Sequence, residues 1–484
     1  MTDQKLHDLT KPAGVSRRTV LRGMAGGAAG LALAPMLGSL PARAASPGSN
    51  PGKYKLDLGG YTGPELTSDT ITLKIMRQEY PPEVNDHLNT VYKAFSTAYP
   101  NITIQEERVP YGDLPQKVQV YVASGTAPDL MMGRNDFASA YAAGQITAPL
   151  QQYLSKDFLD DMYAPLRESA TIDGNVTCLP WEVQSNFMVF NKDMFAKLGV
   201  AEMPPEVTDV NAGWTVEQYF DCFEKLTAAI KKSGTDGLFA YAASTLGNGG
   251  PGSNYTQGES IWVRMMGDPK AAKDSSTYKT FAGVSEDGLT ASGYINTPEA
   301  IAGMTNYQNL FKNGWTPTGF VPDQFSAGTA AIAIGSLGVP ARMKRAGATF
   351  NWGASPYPRG TIEFTTTVAD SPMVWSGSPH IPEAVALLAF LVNDDNRKVF
   401  HKVWGSMPDR KSLIAQDPNF TTKQPWMLAA TVADASYGPP KSVGWFDYFS
   451  AMNPAVKDIA LGADPKTRLD AVATQIDGLL AKYK

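Results

Sequence analysis

Cysteine and histidine are scarce in this 484-residue chain, and both scarcities narrow its chemistry. The two cysteines, Cys178 and Cys222, belong to no CxxC pair, so we expect two buried thiols, with a disulfide as the alternative outside the cytoplasm. The four histidines, at positions 7, 87, 380 and 401, show no metal-ligand spacing. The sequence therefore predicts neither a metal nor a cofactor.

Motifs of common catalytic and nucleotide sites are also missing. There is no G-x-S-x-G, H-E-x-x-H or Walker A motif, and the one G-x-G-x-x-G, at 247–252, opens no helix and favours a flexible loop. Acidic pairs are plentiful, but the sequence does not give the separation that glycoside hydrolysis requires. We expect a protein that is not an enzyme, with an exported glycoside hydrolase as the alternative.

The amino-terminal segment looks like a twin-arginine export signal. Arg17 and Arg18 lie within SRRTVLR, ahead of a Gly- and Ala-rich apolar run that closes at Ala42-Arg43-Ala44, a small-x-small cleavage pattern. The run is too short and too rich in glycine for an anchor of about 20 apolar residues. We expect residues 1–44 to be a signal peptide cleaved after about Ala44, which leaves a folded protein in the periplasm with no lipid anchor.

The charge of the remaining chain excludes some partners. Residues 1–44 hold six of the 42 Lys and Arg and two of the 47 Asp and Glu, which leaves 36 basic and 45 acidic residues. A diffuse acidic surface argues against nucleic acid, anionic membranes and highly anionic ligands. Aromatic residues are abundant, with nine Trp and 20 Tyr, and those beside Gly, Pro, Asn or Asp are candidates for a ligand-facing surface.

Hydrophobic periodicity predicts alternating strands and helices after a flexible lead-in at 45–69. Strands are expected at 70–76, 102–109 and 128–133, and helices at 86–99, 114–125 and 136–144. This rhythm predicts an α/β fold with a mostly parallel sheet and helices on both faces. Later helices are expected at 215–234, 298–314 and 382–394, and 422–484 is expected to be mainly helical. A polar kink at 180–186 predicts a crossing between two domains.

Five segments, in order, resemble a known family. They are SGTAPDLMM, LPWEVQSNFMVF followed by NKDMFAKLGV, FSAGTAAIAIGSLG, SPHIPEAVALLAFLVNDDNRKVF and GSMPDRKSL. Together they are similar to the extracellular solute-binding proteins that feed ABC importers, and especially to the carbohydrate-binding family that includes maltose-binding protein. The likeness spans about residues 70–484. One departure is Leu337, where the family often has a tryptophan, so the type of sugar stays open.

The resemblance implies a periplasmic-binding-protein-like fold of two α/β lobes with mostly parallel sheets, joined by a multi-segment hinge. The N-terminal lobe would comprise 70–182 and 372–412, the C-terminal lobe 187–368 and 418–484, with crossings near 180–187, 369–376 and 410–418. A mono- or oligosaccharide would bind in the cleft, close the lobes, and be delivered by the monomeric protein to the transmembrane subunits of an ABC permease.

Ligand contacts are expected where polar and aromatic residues follow strands or lie on the hinge, because ligands of open α/β sheets bind there. Alternatives for single residues are a solvated loop, a helix cap, a structural ion pair or a core position. The Arg77–Tyr80 segment and Arg134 follow predicted strands. The alternative ligand is a polyol, a glycerol-phosphate-type compound or an amino sugar, bound by Arg77, Arg134 or Arg410. The residues expected to contact the ligand are Arg77, Glu79, Asn135, Asp136, Trp181, Glu182, Gln184, Trp262, Trp375, Arg410 and Trp445.

Overall fold

The computed structural model describes residues 53–183, 185–243, 255, 258–319, 321, 323–366 and 368–484, and shows two four-stranded sheets flanked by helices. The strands, in chain order, are β1 Ile71–Gln78, β2 Ile102–Val109, β3 Leu130–Arg134, β4 Thr171–Ile172, β5 Asn175–Val176, β6 Phe187–Asn191, β7 Phe239–Ala242, β8 Ala330–Gly335, β9 Trp352–Ser355 and β10 Asp370–Val374.

Helices connect and cover these strands. They are α1 Pro82–Ala98, α2 Leu114–Ser124, α3 Ala138–Ala143, α4 Lys156–Asp161, α5 Ala164–Ala170, α6 Lys192–Leu198, α7 Val216–Ser233, α8 Ser260–Arg264, α9 Ser276–Ala282, α10 Pro298–Lys312, α11 Val339–Ala346, α12 Ile381–Leu391, α13 Asp394–Trp404, α14 Lys411–Ala415, α15 Asn419–Thr422, α16 Trp426–Asp434, α17 Trp445–Ala460 and α18 Pro465–Leu480. No helix in the described part of the chain is long and apolar enough to cross a membrane.

The first sheet has the strand order β10-β3-β1-β2. β1 is parallel to both β2 and β3, whereas β10 runs antiparallel to β3 with Asp370 opposite Arg134. The carboxyl ends of β1, β2 and β3 and the amino end of β10 therefore lie at one edge, which we call the carboxyl edge. Residues that follow the three parallel strands meet there.

The second sheet has the order β7-β8-β6-β9, and it corrects the prediction of mostly parallel sheets. Only β7 and β8 are parallel, and β6 pairs antiparallel with both β8 and β9. β6 enters directly from the crossing at 180–187 rather than through a strand-helix-strand unit. No crossover helix therefore forces it to run parallel to its neighbours.

Residues 53–69, expected as part of a flexible lead-in, pack on the first sheet and its helices, which we call the first lobe; the second sheet and its helices form the second lobe. Leu58 and Tyr61 are buried, and Tyr61 forms a bridge with Leu154. The backbone N–H of Thr67 donates to Oε1 of Glu383 on α12 at 2.8 Å. Buried apolar side chains and this hydrogen bond hold a segment whose Gly and Pro content alone indicates a loop.

Helix ends follow the local signals in the sequence. α7 begins with a capping box between Thr215 and Gln218 and ends at Gly234, whose left-handed φ of 66° suits glycine. α10 has Pro298 in its first turn and Thr297 as its N-cap. Cys178 and Cys222 are both free and buried, in agreement with the expectation of two buried thiols.

Candidate functional site

Asp370 lies at the centre of a polar group on the carboxyl edge. The Nε2 amide of Gln78 and the hydroxyl of Tyr80, the latter at 3.2 Å, both donate to its Oδ2. The carboxyl is only 5% exposed. Burial raises the pKa of Asp370 to about 6, although the nearby Arg134 guanidinium favours the charged form.

Arg134 and Asp136 form the second part of this group. Nε of Arg134 donates to Oδ1 of Asp136 at 3.0 Å and Nη2 donates to Oδ2 at 2.6 Å, so the buried ion pair is bidentate. The guanidinium carbon lies 5.5 to 5.7 Å from the ring centroids of Tyr111, Phe137 and Phe449. The pair is thus surrounded by aromatic faces, one of which comes from α17.

We call Gln78, Tyr80, Tyr111, Arg134, Asp136, Glu182 and Asp370 the carboxyl-edge cluster. Glu182 belongs to it because its charge acts on its neighbours. Burial, together with the charges of Asp370 and Glu182, raises the pKa of Tyr80, and Glu182 also acts on Tyr111. The cluster combines carboxylates, an amide, a guanidinium and phenols, which are groups that bind hydroxyls in pairs.

The predicted residues Arg77 and Glu79 flank Gln78 at the end of β1. Arg77 donates to Oε1 of Glu106 at 2.6 Å and to Oδ1 of Asn85 at 2.8 Å, and its guanidinium carbon lies 5.7 Å from the ring centroid of Tyr80. Glu79 is about half exposed and accepts from Asn85. Within the described residues the side chain of Glu79 contacts no side chain of the cluster. A ligand contact from Arg77 or Glu79 stays a prediction.

Trp181 and Glu182 are both buried, and Trp181 lies beside the cluster to which Glu182 belongs. The Trp181 backbone N–H donates to the carbonyl of Asp370 at 3.2 Å. The Trp181 ring packs against Tyr80 and Phe400, and the Arg397 guanidinium lies 5.4 Å from it. Trp181 therefore fills the space behind the site, while Gln184 lies outside the described residues.

Asn135 connects the turn after β3 to two other segments of the chain. Its Nδ2 donates to Oγ of Ser169 at 2.6 Å, and its Oδ1 accepts from the backbone N–H of Ala369 at 2.8 Å. These bonds tie the turn after β3 to α5 and to the segment that enters β10. The amide expected to contact a ligand is thus engaged in holding the two neighbouring segments.

Trp445 packs within the second lobe, and its assignment as a ligand-stacking residue stays a prediction. It is fully buried and stacks on Tyr448 with ring centroids 4.6 Å apart. Phe446 and Phe449, farther along the same helix, lie 4.5 and 5.7 Å from Phe137 of the first lobe. With 3.6 residues per turn, Phe446 points about 100° away from Trp445 and Phe449 about 40° away, so both lie to one side of the face that Trp445 occupies.

Two further residues expected to contact the ligand, Trp262 and Trp375, lie away from the carboxyl-edge cluster. Trp262 is buried and stacks on Phe220 of α7, inside the second lobe. Trp375 follows the carboxyl end of the antiparallel β10, and its N–H donates to Asp129 before β3, so it lies at the opposite end of the sheet.

Arg410 is bound within its own lobe. Nη1 pairs with Oδ1 of Asp394 at 2.7 Å and Nη2 donates to the carbonyl of Val392 at 3.0 Å. Its ion-pair partner is Asp394 rather than the Asp409 that precedes it. Its role as a hydroxyl-binding residue stays a prediction.

Sequence reasoning missed Tyr111, Asp370, Phe446 and Phe449. A signal existed for Tyr111, which lies two residues after the end of β2, at the same edge of the sheet as Arg134 at the end of β3. The described residues contain no group of three or more His, Cys, Asp or Glu placed to hold a metal ion. The carboxylates, amide, phenols and aromatic rings at the carboxyl edge can bind a polar, ring-shaped molecule through hydrogen bonds and aromatic contacts.

Known structures share this fold. An ABC substrate-binding protein of Listeria monocytogenes in complex with cycloalternan superposes with a TM-score of 0.68 at 19% identity, covering 85% of this chain and all of that one. A cyclic α-maltosyl-1,6-maltose binding protein of Arthrobacter globiformis gives a TM-score of 0.63 at 19% identity, with 85% and 99% covered.

Relatives by sequence point the same way. A galactooligosaccharide-binding protein of Bacillus subtilis is 24% identical over 396 residues, covering 78% of this chain and 83% of that protein. A binding protein of Brucella abortus is 24% identical over 435 residues, covering 86% and 95%. The sequence profile of the bacterial extracellular solute-binding proteins matches residues 82–398, which is about two thirds of the chain. The chain belongs to the bacterial extracellular solute-binding protein family.

Proposed function

We propose that this chain is the periplasmic substrate-binding protein of an ABC-type sugar importer. It binds a mono- or oligosaccharide between its lobes and delivers it to the transmembrane subunits of the permease. The observation that carries this proposal is the carboxyl-edge cluster, where planar polar groups of the first lobe meet aromatic rings of both lobes. The family is one of solute-binding proteins of transporters rather than enzymes.

The chemistry of the cluster suits a neutral sugar. Aromatic faces such as Tyr111, Phe137 and Phe449 match the apolar C–H faces of a pyranose, and carboxylates and amides match its rim of hydroxyls. Proteins with this fold have been solved with cycloalternan and with maltotriose, and relatives are named for galactooligosaccharide and diacetylchitobiose. These names support an oligosaccharide as the ligand class.

The contacts of the arginines favour a neutral sugar over a glycerol-phosphate-type ligand. Arg77, Arg134 and Arg410, which would read a phosphate, are each paired with a carboxylate at 2.6 to 2.7 Å. A carboxylate partner already neutralises each guanidinium, so no free charge remains on it for a phosphate. Polyols and amino sugars keep the hydroxyl pattern and belong in the same binding assay.

The route and architecture are part of the proposal. The twin-arginine pattern at 16–22 supports export of the folded protein and cleavage after about Ala44, with a monomer in the periplasm. The lobes would be 70–182 with 372–412 and 187–368 with 418–484, and they would close around the ligand like a hinged trap. Closure follows because a ligand that bridges two lobes binds the closed state more tightly.

A pair of neighbouring substitutions tests the site. The mature chain is titrated by isothermal calorimetry against a panel of oligosaccharides, polyols and amino sugars. Gln78→Ala removes a cluster contact and is expected to weaken binding of the best ligand at least tenfold. Glu79→Ala, one residue along on the opposite face, is the matched control and is expected to change affinity less than twofold.

Two outcomes would contradict the proposal. Equal losses of ligand affinity in Gln78→Ala and Glu79→Ala would show that the ligand does not bind at the cluster. Hydrolysis of an oligosaccharide at a rate proportional to protein concentration would instead make the chain a glycoside hydrolase. Binding of a native-state ligand without turnover raises the melting temperature, since stability grows as RT ln(1 + [L]/Kd).

A further inference from the structure

One buried arginine lacks an anionic partner. Among the described residues, Arg77, Arg134, Arg397 and Arg410 are buried arginines that each have a carboxylate oxygen within 4 Å, whereas Arg264 has none there. The internal segments that the structure does not describe contain no Asp or Glu. Arg264 therefore differs from every other deeply buried guanidinium in this part of the chain.

The surroundings of Arg264 hold the side chain but do not neutralise it. Nε donates to the carbonyl of Phe281 at 2.7 Å, and Nη1 donates to the carbonyl of Gly438 at 2.9 Å. The guanidinium carbon lies 4.7 Å from the ring centroids of both Phe281 and Phe364. Burial lowers the pKa of Arg264 to about 10, so it stays charged at neutral pH. A buried, uncompensated charge is costly, and an anion would relieve that cost.

Arg264 lines a crevice of about 500 Å³ between α5 of the first lobe and α8, α9 and residues 436–441 of the second. Cavities of this size hold small organic molecules. Tyr278, Tyr294 and Tyr437 also line it, and none of their hydroxyls makes a hydrogen bond within the described residues. The crevice thus offers three phenols and a fixed guanidinium.

The ionic groups on the crevice wall set the charge of its occupant. Arg264, Lys273 and Lys441 are cationic, and Glu168 and Glu286 are anionic. Lys273 and Glu286 pair with each other at 3.0 Å on the exposed rim. One positive charge is left over, which matches a monoanion better than a phosphate ester of charge near −2.

We propose that this crevice is a binding site for a sugar acid, with its carboxylate on Arg264 and its hydroxyls on the three tyrosines. Arginine suits a carboxylate because its planar N–H groups can donate two parallel hydrogen bonds. The site lies beside the carboxyl-edge cluster, since Ser169 of the crevice wall accepts from Asn135. It does not depend on sugar binding at the cluster.

The test uses D-glucuronate and its neutral amide, D-glucuronamide, as matched probes in calorimetry with the mature chain. We expect D-glucuronate to bind at least tenfold more tightly than the amide. Arg264→Lys keeps the charge but not the paired donors, and it should weaken D-glucuronate binding at least tenfold. Ala282→Phe fills the crevice without altering Arg264 and should do the same. Arg468→Lys, at an exposed ion pair with Asp458, is the control.

The outcomes separate this site from the carboxyl-edge cluster. Gln78→Ala should leave D-glucuronate binding unchanged if the crevice is its site, and a loss there would overturn the proposal. Equal affinity for the acid and the amide, or full binding in Ala282→Phe, would also overturn it. Tighter binding of inorganic phosphate than of D-glucuronate would reject the carboxylate class. Should Arg264→Lys fail to fold, Ala282→Phe decides the matter.

Discussion

Glu363 illustrates how one residue makes stability depend on pH. Its side chain lies in the loop between β9 and β10, is 6% exposed, and its Oε1 has no hydrogen-bond partner within the described residues. Burial raises the pKa of Glu363 to about 8 from an ordinary value of 4.5. The neighbouring groups it acts on, Tyr357 and Tyr437, also have raised pKa values, chiefly through burial.

We expect the contribution of Glu363 to the free energy of unfolding to fall as pH rises from 5 to 8. The folded state keeps the proton of Glu363 longer than the unfolded state does, so its contribution is complete below about pH 4.5 and is lost through pH 8. The slope from one such group is at most about 1.4 kcal/mol per pH unit. Urea denaturation at pH 5 and 8 should show that the Glu363→Gln variant loses less free energy of unfolding between these two pH values than the unsubstituted protein does. Glu286→Gln, at an exposed carboxyl, should keep the native slope, and a native slope in Glu363→Gln would refute the assignment.

Single residues of the site were the hardest feature to predict. The strand that became β1 was predictable, and its period of two places the neighbours Arg77 and Gln78 on opposite faces. The sequence does not say which face meets the second lobe. Asp370 was missed because it pairs with Gln78 across 292 residues, a contact that no local pattern indicates.

Whole elements followed the sequence more closely than single residues did. The strands at 71–78 and 102–109 and the helices at 114–124, 216–233 and 298–312 were predicted within a few residues, because caps and periodicity are local. The direction of β6 was not predictable in the same way. Its partners, β8 and β9, come from distant segments, and pairing direction depends on where those segments meet.

Two residues of α17 are expected to act differently, Trp445 in stability and Phe449 in sugar binding. Trp445 packs inside the second lobe, so Trp445→Ala should lower the free energy of unfolding by about 3–5 kcal/mol, as large aromatic truncations in a core do. Phe449 is only partly buried and faces the Arg134 pair, so Phe449→Ala should cost far less stability and weaken sugar binding at least fivefold. Urea denaturation and calorimetry separate the two effects. Weakened binding from Trp445→Ala in a stably folded protein, with none from Phe449→Ala, would reverse the assignment.

At the scale of the whole molecule, the two lobes touch at more than one place. α17 of the second lobe packs on Phe137 and Tyr141 of the first. Elsewhere, Nη1 of Arg345 on α11 lies 2.9 Å from Oε1 of Glu83 on α1. The resemblance to solute-binding proteins predicted two lobes, but these contacts depend on how surfaces from distant segments fit together. Both contacts join the two lobes in this structure.

The Glu83–Arg345 pair should therefore bias closure and, through it, affinity. Both side chains are partly exposed, and exposed pairs contribute about 0–1 kcal/mol, so Glu83→Gln or Arg345→Gln should weaken sugar binding by no more than about fivefold. The double variant should bind like either single one, since the second substitution removes a contact that is already lost. High salt should shrink the effect by screening the pair. Calorimetry of the four proteins measures the coupling, and Lys398→Gln, at an exposed lysine of α13, is the control. Additive losses in the double variant would show that the pair does not act on closure.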